Sequence, residues 1–424
     1  IGGGTTNQAT RTCSVVAGGT TNKANAPLAV VGGGSTNYAC GNYSFVAGGG
    51  INVISPTGRC GVITGGVQNR AYGDSSNIDG GKHNTIKNKG TCSTIGGGFQ
   101  NTSLSASTTI GGGFANQTNS DCATIGGGSG NLASGSRSTI AGGFSGVASG
   151  NDSAVVGGFT NIASGSASFV GAGTLNTASG KASIIGGGLC NVACGKASNV
   201  AGGTKNLTSG EYSTLVGGFS SKASGSRSFV GGGFINEAKG INTTIAGGYR
   251  NLITGAYATI GGGFRNSAPG NRSTIGGGNS NCATGDENTI GGGNSNRTTQ
   301  EYSTVGGGYQ NHACACAATV AGGYYGLAIG EYSTVGGGRL NKARGNTSVI
   351  AGGNENQIFT GATRSAIAGG TYNKICNKSI NSFIGGGQAN CSLSAASFIG
   401  GGFSNTASGS ATFIGGGMKN IINS

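Results

Sequence analysis

The chain has 424 residues, of which 95 are glycine, 3 are proline and none is tryptophan. Scarce proline and a glycine period other than three exclude collagen, while length alone would suggest two or three domains. The net charge of +14 comes from 11 acids against 25 bases, and the bases are scattered singly, which argues against a nucleic-acid-binding arm.

From the first residue onward the chain repeats one phrase, an anchor hydrophobe followed by glycines and then an asparagine. The anchors run Ile1, Val16, Val31, Val46, Ile63, Ile78, Ile95, Ile110 and onward to Ile399 and Ile414, 28 in all. Of the 27 intervals between them, 23 are 15 residues and four are 17. So short a period means one turn of a solenoid per repeat, each turn burying its apolar side against the next. The beat overrides the length prior and predicts an all-β fold, a parallel β-solenoid or β-roll of about 28 coils, continuous over 1–424. At about 4.8 Å per coil, the expected rod is roughly 130 Å long. Because the chain starts on an anchor and stops within a coil, it reads as a segment of a longer chain or one that packs end to end.

With the anchor numbered position 1, Ile125 to Thr139 shows the consensus, IGGGSGNLASGSRST. Position 4 is glycine in all 28 coils and position 3 in 27, with Ala172 the exception. A tight corner and a close approach between backbones are both expected there. Position 7 is asparagine in 25 coils, the exceptions being Gly146, Ser221 and Gly326. This column, including Asn101, Asn116, Asn131, Asn161, Asn176 and Asn191, is expected to be structural. Stacked amides can bond one another along the coils, or each can bond its own backbone.

Position 9 is usually alanine, but in each 17-residue coil it is isoleucine: Ile54, Ile86, Ile358 and Ile375. A bulge that widens the coil calls for a larger side chain beneath it, so positions 1 and 9 face the core, although Ile253 sits in a coil of ordinary length. Pro27, Pro56 and Pro269 all avoid the anchor strand, as ladder hydrogen bonding requires. The predicted coil has a short strand over positions 13 to 2, a glycine corner, a second strand over 5 to 9 and a return corner.

Two outward columns remain. Position 5 is aromatic in 11 coils, among them Phe99, Phe114, Phe144, Phe159, Phe219, Phe234, Tyr249 and Phe264. Such a stripe is better explained by a partner chain than by solvent. Position 15 is threonine without a break from Thr244 to Thr334, and phenylalanine at 383, 398 and 413.

Cys13, Cys60, Cys92 and Cys122 lie three residues before an anchor, on coils too far apart to pair with one another. They are candidates for disulfides between chains, or for reduced small side chains. Cys376 and Cys391 lie on neighbouring coils and are the candidate pair within the chain. His83 and His312 are far apart, and Asp286 and Glu301 share one column without a cleft-forming insertion beside them. The expectation is therefore no enzyme activity, no cofactor and no metal.

The phrases ASGSRSTIAGG (133–143), ASGKASIIGGG (178–188) and ASGSATFIGGG (407–417) resemble the head repeats of YadA-like trimeric autotransporter adhesins, and repeat-rich surface and viral fibre proteins more broadly. The resemblance implies a β-roll and a trimer. The chain departs from it in the 15-residue coil, the glycine triplet and the asparagine column. The expected function is a structural and adhesive extracellular fibre on a cell or virion surface. Its expected partners are itself, as a homo-oligomer or filament, and anionic surfaces such as glycans, with no specific nucleic acid and no membrane span. The alternative is an ice-binding solenoid that uses the threonine column.

Overall fold

A computed structural model describes residues 1–423, which divide after Tyr212 into two compact units, the second beginning at Ser213. Fourteen anchors fall in each unit, Ile1 to Val200 and Leu215 to Ile414. The described residues contain no helix. Both units are parallel β-solenoids, about 28 turns between them, with strands recurring every 15 residues as the period predicts.

In the first unit the anchor strand Thr124–Ile125 pairs with Thr109–Ile110 before it and Thr139–Ile140 after it. A second ladder joins Gln117–Thr118 to Leu132–Ala133. A third contact is a single bridged residue at position 5, as in Phe99 to Phe114 to Ser129. The second unit repeats the plan, with Thr259–Ile260 against Thr274–Ile275, Leu252–Ile253 against Ser267–Ala268, and Phe234 against Tyr249.

The strands are shorter than the sequence suggests. Each is two residues long, at positions 15 to 1 and 8 to 9, rather than spanning 13 to 2 and 5 to 9. Left-handed backbone at positions 6 and 13 interrupts them. Ala115 at position 6 has φ 52° and Cys122 at position 13 has φ 59°, and other turns match. A non-glycine residue in this region costs about 1 kcal/mol or more. The return is a hydrogen bond in the reverse direction. Strand amides bond the following turn, as Thr109 N does to Ala123 O, whereas Ala115 N reaches back to Phe99 O and Cys122 N to Ala106 O, at 2.9 and 3.0 Å. Each turn is thereby tied to the turn before it and the turn after it.

The core of each unit is a column of anchors facing a column of position 9 residues: Ile125, Ile140 and Val155 against Ala133, Ala148 and Ala163 in one, and Ile245, Ile260 and Ile275 against Ile253, Ala268 and Ala283 in the other. The compensation in the long coils is direct. Ile54 and Ile86 are fully buried. Their Cγ2 atoms lie against Gly58 and Gly90, so close that a Cβ there would stand 2.9 and 2.5 Å away.

Geometry requires glycine at position 4 in every turn and favours it at position 11, where Ala26, Ser105, Ser120, Gln300 and Ala315 stand in other turns. At position 4, Gly113 has φ +89°, and a Cβ would sit 2.1 Å from the Gly128 carbonyl oxygen. At position 11, a Cβ on Gly150 would meet the Gly165 carbonyl at 2.0 Å, so the S-G corner is also a close approach between turns. Position 3 differs: Gly112 and Gly127 face open space, which agrees with Ala172 being accepted there.

Candidate functional surfaces

The asparagine column lies inside the wall, with Asn101, Asn116, Asn131, Asn161, Asn176 and Asn191 all essentially fully buried. Each amide nitrogen donates twice. Asn116 Nδ2 reaches Gly112 O in its own turn and Gly128 O in the next, at 2.9 and 3.0 Å. Its Oδ1 accepts the backbone N–H of Asn131 at 3.0 Å. The ladder is thus mainly amide to backbone. Direct amide-to-amide bonds occur at a few steps, such as Asn176 Nδ2 to Asn161 Oδ1 at 3.1 Å. Sequence reasoning recognised the column as structural without finding that it serves its own turn and both neighbours.

Position 5 forms an outward ladder of stacked rings. In the first unit, Phe99–Phe114 and Phe144–Phe159 have centroids 5.6 and 5.0 Å apart and nearly parallel planes. In the second unit four rings follow in succession, Phe219, Phe234, Tyr249 and Phe264, at 4.9, 5.1 and 4.9 Å. Phe114, Phe144 and Phe159 each leave nearly half their surface exposed. Stacking within the ladder covers the faces of inner rings and leaves their edges outward. The left-handed residue at position 6 brings cations alongside: the Arg250 and Arg265 guanidinium groups lie 5.3 and 5.0 Å from the centroids of Tyr249 and Phe264. A basic residue directly after an aromatic one was the available signal for these contacts.

The threonines at position 15 are in register from Thr244 to Thr334. Three successive members, Thr259, Thr274 and Thr289, are exposed. Farther along the second unit the same column carries Phe383, Phe398 and Phe413, stacked at 5.3 and 5.0 Å.

No family model matches the chain, and no curated protein matches it.

All twelve cysteines are free thiols. Cys13, Cys60, Cys92 and Cys122 are exposed in the left-handed position 13 column. Cys376 and Cys391 are brought together, with their sulfurs 3.7 Å apart. Burial, with the Cys376 thiol beside it, pushes the Cys391 thiol up to about 12.

The titratable groups are dispersed. His83 packs edge-on against Phe99 at 5.5 Å. His312 is held below its ordinary value by partial burial and by the nearby Arg297 charge. It helps line a groove with Gln310, Tyr325 and Lys342. Asp286 accepts the backbone and side-chain N–H groups of Asn271 at 2.8 and 3.2 Å, which hold its carboxyl below the usual range. Ion pairs join successive turns: Arg137 to Asp152 at 2.6 Å, Lys196 to Glu211 at 2.8 Å and Arg272 to Glu287 at 3.0 Å.

Proposed function

We propose that the chain is a subunit of a structural and adhesive extracellular fibre, assembled from copies of itself and displayed on a cell or virion surface. The observation that carries this reading is the ring ladder Phe219–Phe234–Tyr249–Phe264, three of its rings exposed and Tyr249 half-buried, whose spacing of 4.9 to 5.1 Å matches one turn of the solenoid. A partner with another period falls out of step after a few rings, whereas a second copy of this chain keeps step with each one. Edge-outward rings suit contact with the faces and edges of other rings. A trimer is the form implied by the YadA-like resemblance.

Attachment follows from the same repetition. Many weak, equivalent contacts on linked copies give avidity without one dominant site. The net charge of +14 favours anionic surfaces, acidic glycans among them, as targets. The test is the native mass of the wild-type chain beside that of a Phe144→Ser/Phe159→Ser/Phe234→Ser/Phe264→Ser variant, with circular dichroism to check folding. The expected result is an oligomer that the folded variant fails to form. A wild type that stays monomeric at high concentration contradicts the proposal.

A second reading has its own observation, the in-register threonine column with Thr259, Thr274 and Thr289 exposed. As an ice-binding face it predicts a thermal hysteresis that Thr274→Tyr abolishes. The absence of hysteresis in the wild type removes it.

A further inference from the structure

We propose that Cys376 and Cys391 form an oxidative cross-link site, at which a disulfide closes one complete turn of the solenoid into a covalent hoop. Lys374 and Cys391 are register partners on adjacent turns. Cys376 follows Lys374 by two residues and so shares the outer side of that ladder, diagonally placed from Cys391. The sulfurs are 3.7 Å apart and both residues are partly exposed. A disulfide requires about 2.0 Å, so the two must close by less than one bond length plus a rotamer adjustment. The backbone allows it at this place. The paired strand ends at Ile375, and Cys376 opens the extra-long return segment of a 17-residue coil, where Lys378 and Asn381 are both left-handed.

Among the described residues this is the one sulfur–sulfur contact. The column of Cys13, Cys60, Cys92 and Cys122 skips at least one turn between members, which at about 4.8 Å per turn leaves its sulfurs unable to pair within the chain.

The chemistry is a thiol–disulfide exchange with a low-molecular-weight disulfide such as glutathione disulfide. The Cys376 thiol gives up its proton and its thiolate attacks one sulfur of the reagent, and the first small thiolate leaves. Cys391 then gives up its proton to solvent, its thiolate attacks the Cys376 sulfur of the mixed disulfide, and the second small thiolate leaves. Two protein thiols are oxidised to one disulfide, the reagent is reduced to two thiols, and the two protons go to the leaving thiolates.

The test uses the full chain equilibrated in glutathione buffers of increasing oxidised fraction, alkylated and digested with trypsin. Cleavage after Lys374, Lys378 and Lys419 places Cys376 in the peptide 375–378 and Cys391 in the peptide 379–419. Mass spectrometry is expected to find these two peptides linked. Cys376→Ser is expected to abolish the link and leave Cys391 alkylated, and Cys391→Ser to trap Cys376 as the glutathione mixed disulfide. Recovery of both cysteines alkylated in fully oxidised buffer overturns the proposal, as does linkage of Cys376 to another cysteine. The outcome is independent of whether copies of the chain assemble.

Discussion

The side-chain oxygen of Asn101 accepts the backbone N–H of Asn116, one turn away, at 3.0 Å, while its amide nitrogen holds Gly97 O and Gly113 O. One buried side chain therefore closes the glycine corner of its own turn and fastens that corner to the next. The exceptions show what is lost. At Gly146 and Gly326 the column still offers a backbone N–H to the preceding asparagine, at 2.8 and 2.7 Å, but passes no side-chain oxygen onward.

Replacing Asn116 with alanine removes its bonds to Gly112 O and Gly128 O and the acceptor for Asn131 N–H. With each unsatisfied buried group costing about 1–3 kcal/mol, we expect a destabilisation of about 3 kcal/mol or more. Chemical denaturation followed by circular dichroism measures it. A midpoint unchanged from wild type would show that the column is dispensable.

The glycine triplet predicts opposite outcomes at adjacent residues. Gly113→Ala must adopt φ +89° and drive a Cβ against the Gly128 carbonyl, an overpacking and strain cost of about 3 kcal/mol or more. Gly112→Ala meets nothing within 4 Å and is expected to cost about 1 kcal/mol or less. Comparing soluble yield and melting temperature of the two variants checks the contrast.

Within the core, apolar and polar positions should respond differently. Ile140→Ala opens a cavity in a fully buried column and is expected to cost about 2–5 kcal/mol. The Ser153 hydroxyl, on the same turn, is buried without a hydrogen-bond partner, so Ser153→Ala is expected to be neutral or stabilising. Matched denaturation curves of the two variants supply the measurement, and a large loss in Ser153→Ala would reveal a bond that the hydroxyl makes in solution.

Carboxylates that bridge turns set the acid response. The Asp152 carboxyl is lowered mainly by its hydrogen bond from Arg137, and that of Asp121 by Ser105 and the Ala106 N–H. A depressed folded-state pKa adds stability above the unfolded value of about 3.9, which is lost as pH falls through the lower folded value. We expect the midpoint of Asp152→Asn to match wild type below that window and to fall slightly short of it at neutral pH. Because the pair is exposed, the gap should shrink in high salt. A gap that persists at low pH would assign it to packing instead.

The turn length, the anchor and position 9 core, and the larger residue beneath each bulge were legible because they repeat as residue types. Ile54, Ile86, Ile358 and Ile375 stand at position 9 in all four long coils. The breaks at positions 6 and 13 were not legible. Residues as different as Thr6, Arg137, Tyr212 and Glu355 occupy them, since what matters is the direction of the backbone N–H rather than the side chain. For the same reason Arg250 and Arg265 beside the ring ladder read as scattered surface charge. The proximity of Cys376 and Cys391 was legible from coil counting, because they fall at positions 10 and 8 of neighbouring coils, two residues off register.

Assembly through the ring ladder is the central claim, and cryo-electron microscopy of native particles tests it most directly, through their diameter and mass per unit length. The account predicts several chains in cross-section, with Phe144, Phe159, Phe234 and Phe264 between them. Particles one chain thick, with those rings facing solvent, would contradict it.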